Sequence, residues 1–226
     1  MVEILRAVLA LIFRLLARCE VIGLEHVPKS GGCLMVVNHL SIVDSPLIFT
    51  FVRHPRMVAF VAVKHRRNPF FRWMLNQAGV IWVRRGQSDR TALKAALKAL
   101  QVGTLLGIAP EGTRSRSASL QLAKPGVAFL ASRAEVPIVP AVVINTERAF
   151  AELKSLRRPR LILKIGPPFT LAALGPGNRS AQLHAHADEI MLHLAAMLLP
   201  RYRGVYTNHP RLPQFLEWAD DAGIRG

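Results

Sequence analysis

Hydrophobic and polar positions alternate along this chain in two rhythms. Residues 1–18 follow the helical one. At about 100° per residue, Glu3, Arg6, Arg14 and Arg18 fall in one arc of roughly 120°, shared with Ala7, Ala10 and Ala17. Ile4, Leu5, Val8, Leu9, Leu11, Ile12, Phe13, Leu15 and Leu16 fill the rest of the circumference. The pattern predicts an amphipathic helix. Its apolar run between Arg6 and Arg14 is too short to cross a bilayer. Arg14 and Arg18 interrupt its far side and no small-residue cleavage site follows, unlike a signal peptide. A helix lying in the membrane interface, arginines at the headgroups, fits this pattern, and docking on the protein's own core is the alternative.

Beyond a Gly- and Pro-containing connector at 23–32, short apolar runs take over. Residues 33–37, 57–63, 78–83, 105–109, 137–144 and 160–165 read as strands, several of them continuously apolar as in buried parallel sheets. Helical patterns at 46–51, 68–75, 89–100, 126–133 and 178–199 separate them. This alternation predicts an α/β fold with a mixed, mainly parallel central sheet flanked by helices, preceded by the amphipathic membrane-docking helix. The predicted division is a membrane-associated helix at 1–20, an α/β domain at 21–206, and a C-terminal tail at 207–226 whose Phe215, Leu216 and Trp218, with Tyr202 and Tyr206 before it, could cover the core or touch lipid.

Composition narrows the partner. The chain has 226 residues, 51% of them apolar, enough for a substantial core. Lys and Arg number 30 against 14 Asp and Glu, a net charge of +16. Such a charge suits an anionic partner, whether a phospholipid surface, a phosphorylated substrate or nucleic acid, and a solvated basic surface is the alternative. Two cysteines, Cys19 and Cys33, are no disulfide framework and fit a reducing compartment. The cluster Lys64-His65-Arg66-Arg67, followed by Phe70, Phe71 and Trp73, suits anionic headgroups flanked by interfacial aromatics. No nucleic-acid signature surrounds it, so no nucleic-acid partner is expected.

Candidate chemistry gathers at strand ends. Asn38-His39-Leu40-Ser41-Ile42-Val43-Asp44 follows the 33–37 strand. His39 can take up a proton at neutral pH, and a turn would bring the Asp44 carboxylate to its ring, giving half of a nucleophilic triad whose nucleophile is a substrate hydroxyl. An Asx-type turn with a helix-capping Asp accounts for the same spacing. Glu111-Gly112-Thr113-Arg114-Ser115 follows the 105–109 strand, where Gly112 permits a tight turn and Arg114 offers a fork of donors to phosphate. Arg84-Arg85 closes another strand and forms either a phosphate site or solvated charge. Phosphate-loop, dinucleotide and Gly-x-Ser-x-Gly motifs are absent from the sequence. His184, His186 and His193 share one helical stretch without zinc-site spacing, and exposed positions are expected for them.

Four of these segments, in order, resemble the 1-acylglycerol-3-phosphate acyltransferase family of glycerolipid acyltransferases. They are Asn38-His39 with Asp44; Gly79 to Arg85; Glu111-Gly112-Thr113-Arg114-Ser115; and Val136-Pro137-Ile138-Val139-Pro140. Lys124 and Gly126 match the family's Lys-x-Gly. Two positions depart from the common pattern: Arg84, where many members carry Asp, and Ala123, where many carry Phe. The resemblance implies acyl transfer from acyl-CoA or acyl-ACP (acyl carrier protein) to the sn-2 hydroxyl of 1-acyl-sn-glycerol 3-phosphate, with no bound cofactor and no metal. Another lysophospholipid or polar lipid as acceptor, or a non-catalytic basic membrane-binding protein, are the competing expectations. His39 is implied as the base and Asp44 as its orienting carboxylate. Arg85, Glu111, Gly112, Thr113 and Arg114 are implied to hold the acceptor phosphate, with Asn38 and Lys124 in support. Implied partners are lysophosphatidic acid, the acyl donor and an anionic phospholipid membrane. The implied location is peripheral or monotopic on the cytoplasmic face of the cell membrane.

Overall fold

The computed structural model of the chain describes residues 1–84 and 89–226. In chain order its main elements are α1 (Val2–Leu16), β1 (Arg18–Ile22), β2 (Cys33–Val37), α2 (Asp44–Phe51), β3 (Met57–Ala62), α3 (Pro69–Ala78), β4 (Val80–Val83) and α4 (Arg90–Gln101). There follow β5 (Leu105–Ile108), α5 (Gly126–Ala134), β6 (Ile138–Ile144), α6 (Ala149–Lys154), β7 (Arg160–Ile165), α7 (Arg179–Met197) and α8 (Leu212–Asp221). The described strands form one sheet of order β1-β7-β6-β2-β5-β3-β4. Only β6 and β7 pair antiparallel; the other neighbours are parallel, as the alternation of strands and helices predicted.

The central strands are buried on both faces. Every residue of β2 and of β6 is interior, so both read as continuous apolar runs. Pro140 is tolerated inside β6 because the ladder slips around it. Ala141 pairs with Ile165, whereas Ile138 pairs with Phe169, so one extra residue is accommodated where proline has no N–H to give. Strand β1 escaped the sequence pattern. It is an edge strand of five residues, none fully buried, paired in parallel with β7 along its whole length, and Arg160 Nη2 donates to Glu20 Oε2 at 2.6 Å across the pair.

Helix α1 packs against α2. The Phe13 and Phe51 rings lie 6.3 Å apart, and the buried Arg6 guanidinium sits 4.9 Å from the Phe49 centroid. Arg6 also donates to Glu3 Oε1 at 3.2 Å and to Met57 Sδ at 3.3 Å. Arg6 therefore points into the protein rather than outward with Arg14, and Arg18 lies in β1 beyond the helix. The opposite face of α1 is open and apolar: Ile4 is 67%, Leu11 57% and Leu15 63% exposed, with Val8, Ile12 and Leu16 beside them. No helix among the described residues is long and apolar enough to cross a membrane.

The C-terminal residues cover the core. Leu212, Phe215 and Ala219 of α8 are buried, as are Tyr202 and Tyr206 before it. His193 of α7 is interior, unlike the exposed His184. Its ring stacks on Phe169 at 3.7 Å and meets Phe215 and Trp218 edge-on. Burial, aided by the Arg211 charge, pushes its pKa down to about 3, so the ring stays neutral.

Candidate active site

The carboxyl ends of β2, β4 and β5 lie at one edge of the sheet, where open α/β sheets characteristically bind ligands. The loop after β2 is fixed by hydrogen bonds at both ends. Asn38 is buried and grips β6: its amide nitrogen donates to Val143 O at 3.0 Å and its oxygen accepts from Val143 N at 2.8 Å. The next residue, His39, faces a cavity.

Asp44 opens α2 and is 1% exposed. Its Oδ2 receives the backbone N–H groups of Leu40, at 2.7 Å, and Ser41, at 2.8 Å. The same oxygen lies 2.7 Å from His39 Nδ1. A carboxylate can only accept, so Nδ1 donates and Nε2 is the ring nitrogen left to take a proton. Asp44 is the first residue of α2 and not its cap, a place taken by Val43 without a side-chain hydrogen bond, so the helix-capping expectation is not met. Asp44 ties down the turn and orients the imidazole with one and the same oxygen.

The cavity beside His39 has a volume of ≈ 540 Å³. Its walls are mainly apolar: Met35 and Val37 from β2, Met57 to Val61 from β3, Leu75 from α3, Leu93 from α4, and Leu5 and Leu9 from α1. Polar groups gather around His39, Asp44 and Ser45, and around Arg84, Asp89 and Lys124. Asp89 receives the Arg84 backbone N–H at 3.0 Å and caps α4 by accepting from Ala92 N at 3.0 Å. Arg85, expected to bind phosphate, lies outside the described residues.

The segment after β5 forms the opposite wall. Gly112 has φ 70°, and a Cβ there would sit 3.0 to 3.3 Å from the end of the Lys124 side chain. Glycine thus serves both the left-handed backbone and the path of Lys124 across it. Gly112 and Lys124 line the cavity, while Thr113 and Arg114 are exposed beside them. Ser115 N donates to His39 O at 2.8 Å, joining this wall directly to the dyad. Glu111 turns inward. It is 3% exposed, it forms no ion pair with Arg114, and its Oε2 accepts from Gln121 N at 3.1 Å. Burial pushes its pKa from the ordinary 4.5 up to about 7, against the lowering effect of the Gln121 and His39 backbone N–H groups.

The structure therefore brings His39, Asp44, Gly112 and Lys124 to one cavity, with Thr113 and Arg114 at its margin. Asn38 and Glu111 lie behind it as backbone ties. Sequence reasoning missed the cavity's apolar wall, because residues such as Leu5, Val58 and Leu75 carry no chemical signature and only the fold brings them together. Among the described residues no group of three His, Cys, Asp or Glu is placed to hold a metal ion.

Comparison with known proteins is consistent with this arrangement. A family model described as Acyltransferase matches residues 18–144. A 1-acyl-sn-glycerol-3-phosphate acyltransferase of Borreliella burgdorferi is 35% identical over 133 residues, 58% of this chain and 52% of that protein. A protein of the same name from Saccharomyces cerevisiae is 32% identical over 139 residues, 56% of this chain and 43% of its own. The chain thus spans about half the length of these curated relatives or less. The crystal structure of the 1-acyl-sn-glycerophosphate acyltransferase PlsC from Thermotoga maritima shares the fold, with a TM-score of 0.63 and 22% identity over 84% of this chain and 76% of that one.

Proposed function

We propose, from the premise that this chain belongs to the acyltransferase family, that it moves a fatty acyl group from acyl-CoA or acyl-ACP to the sn-2 hydroxyl of 1-acyl-sn-glycerol 3-phosphate, forming phosphatidic acid. The observation that carries this reading is a carboxylate-held imidazole opening onto an apolar cavity. The acceptor hydroxyl gives its proton to His39 Nε2 as its oxygen attacks the thioester carbonyl. Asp44 holds the ring and stabilises the imidazolium that forms. Collapse of the tetrahedral intermediate breaks the carbon–sulfur bond, and the imidazolium returns the proton to the departing thiolate.

The apolar cavity, ≈ 540 Å³, suits an acyl chain, since small-molecule sites run from about 300 to 1,000 Å³. Lys124 and Arg114 supply charge for the acceptor phosphate beside it, and Arg85 belongs to the same proposal. Gly112 keeps the backbone clear beneath Lys124. Thr113 offers a hydroxyl at the margin. The test is turnover by the purified protein with lysophosphatidic acid, lysophosphatidylcholine and glycerol 3-phosphate as acceptors, each with acyl-CoA and acyl-ACP. Turnover greatest with lysophosphatidic acid is expected. Preference for another lysolipid would move the reading to that acceptor, and no turnover with any pair would leave a non-catalytic membrane-binding protein.

The outward apolar face of α1 supports a second proposal, monotopic attachment to the cytoplasmic face of the cell membrane, with Arg14 near anionic headgroups. Leu11→Glu puts a charge in the middle of that face without touching the cavity. It is expected to weaken binding to anionic vesicles, read by flotation, roughly thirtyfold while thermal stability is retained, in line with the loss of roughly 2 kcal/mol of side-chain burial. Equal flotation of wild type and Leu11→Glu would remove α1 as the anchor.

A further inference from the structure

Both tyrosines of the chain lie in one short segment outside the matched family domain, and both are buried. That segment comprises two 3₁₀ turns, Pro200–Tyr202 and Gly204–Tyr206. It runs alongside the loop that carries Arg114 and Lys124, and the hydrogen bonds between them alternate in direction. Leu120 N donates to Tyr202 O at 2.8 Å, and Val205 N returns a bond to Leu120 O at 3.3 Å. Ala123 N donates to the Tyr206 hydroxyl at 3.4 Å, and that hydroxyl donates to Asp188 Oδ1 of α7 at 3.0 Å. The residues following Leu120 and Ala123 in the chain are held from the other side. Gln121 N donates to Glu111 Oε2 at 3.1 Å and Lys124 N to Pro110 O at 2.9 Å.

The approach is close enough to demand glycine. Gly204 has φ 52°, and a Cβ there would come within 2.1 Å of Leu120 O. The Tyr206 hydroxyl, deep in the interior, has both its donor and its acceptor roles occupied. Because Ser115 N also bonds His39 O, the loop is fixed at the dyad, at the end of β5 and at this C-terminal strap.

We infer that the Pro200–Tyr206 strap is a clamp for the 113–124 loop, and that Tyr206 and Gly204 are positioning residues for the anion-binding wall of the site. Residues 18–144 supply the dyad and the loop, but the loop's outer edge is completed by chain more than fifty residues beyond the family match. The clamp rests on the acyltransferase reading only for what the loop does, so its test includes a readout that needs no turnover.

Amide hydrogen exchange and acceptor saturation curves on the full-length protein separate the possibilities. Tyr206→Phe keeps the ring and removes only the hydroxyl. It should speed exchange of the 113–124 amides roughly fivefold, as befits the loss of one hydrogen bond, while β2 stays at the wild-type rate. The acceptor KM should rise by a similar factor with the donor KM unchanged. A mere loss of folded protein would lower the maximal rate and leave both KM values alone. Gly204→Ala should act in the same direction and more strongly, and Tyr206→Phe decides the matter if Gly204→Ala does not fold. Phe215→Leu, which loosens α8 on α7 away from the loop, serves as the stability-matched control. Wild-type exchange in the 113–124 amides of Tyr206→Phe, or equal acceleration in Phe215→Leu, overturns the clamp. If the wild-type protein turns over no acceptor, the acyltransferase reading falls and the exchange result alone decides the clamp.

Discussion

The two walls of the cavity mouth are built on opposite plans. On the wall from β2, Asp44 is interior, one of its oxygens takes three donors, and Asn38 locks the strand to its neighbour. On the wall from β5, the cations Arg114 and Lys124 stand in solvent on a loop held mainly through its backbone. Proton transfer needs a ring fixed to within a hydrogen bond's tolerance, so its support is buried and directly hydrogen-bonded. Binding an anion tolerates long flexible cations, provided that the backbone beneath them does not move.

Mutations should follow that difference in size. His39→Ala is expected to cost most, on the order of 10²–10⁴-fold in kcat, with circular dichroism and melting temperature close to wild type. Near-normal turnover of the folded variant would reject His39 as the base. Asp44→Asn comes next. It keeps the volume but gives the imidazole a neutral partner and offers the Leu40 and Ser41 amides a weaker acceptor, so both rate and stability should fall. A rate loss with full stability would confine Asp44 to catalysis, and the converse would confine it to the turn.

The β5 wall should respond more mildly and through binding. Arg114→Ala and Lys124→Ala should each raise the acceptor KM, by an amount equivalent to about 1.5–3 kcal/mol for a charge-assisted contact, and leave kcat nearly unchanged. Equal effects on phosphorylated and dephosphorylated acceptors would contradict a phosphate-binding role. The smallest effect is on stability. Folded Glu111 keeps its proton up to about pH 7, whereas an unfolded glutamate loses it near 4.5. Its raised pKa therefore favours the folded state fully below 4.5, and that contribution is lost as pH rises through 7. Glu111→Gln removes the ionisation, so melting temperatures of variant and wild type should diverge in the variant's favour between pH 4.5 and 7 and run parallel above it. Parallel curves throughout would show that Glu111 does not titrate in this window.

Much of the fold was legible because its signals are local. The runs at 33–37 and 160–165 match β2 and β7, and the helix formers at 89–100 match α4. Strand β1 was not legible, because an edge strand with Arg18 and Glu20 among five residues shows neither a buried run nor a clean alternation. The ends of the site were legible through Asn38, His39, Asp44 and the Glu111-to-Ser115 segment, because each polar cluster directly follows an apolar strand run. The roles of Asn38 and Glu111 did not, since a side chain that grips a distant backbone looks the same in sequence as one that meets a ligand.

By itself, the sequence determined the α/β alternation, the spacing that lets one carboxylate serve both a turn and an imidazole, and a first helix too apolar for an ordinary surface. Periodicity and short-range hydrogen bonding settle these within a few residues of chain. The tertiary structure alone decided which side of that helix is free. Leu9 and Leu11 belong to the same apolar arc, yet Leu9 lines the cavity and Leu11 is 57% exposed, while Arg6 is turned inward onto Phe49. It alone also placed Tyr206 against Ala123, 83 residues apart, and closed a cavity with leucines from α1, α3 and α4. Such contacts depend on which surfaces meet when the whole sheet is assembled, and no local pattern carries that information.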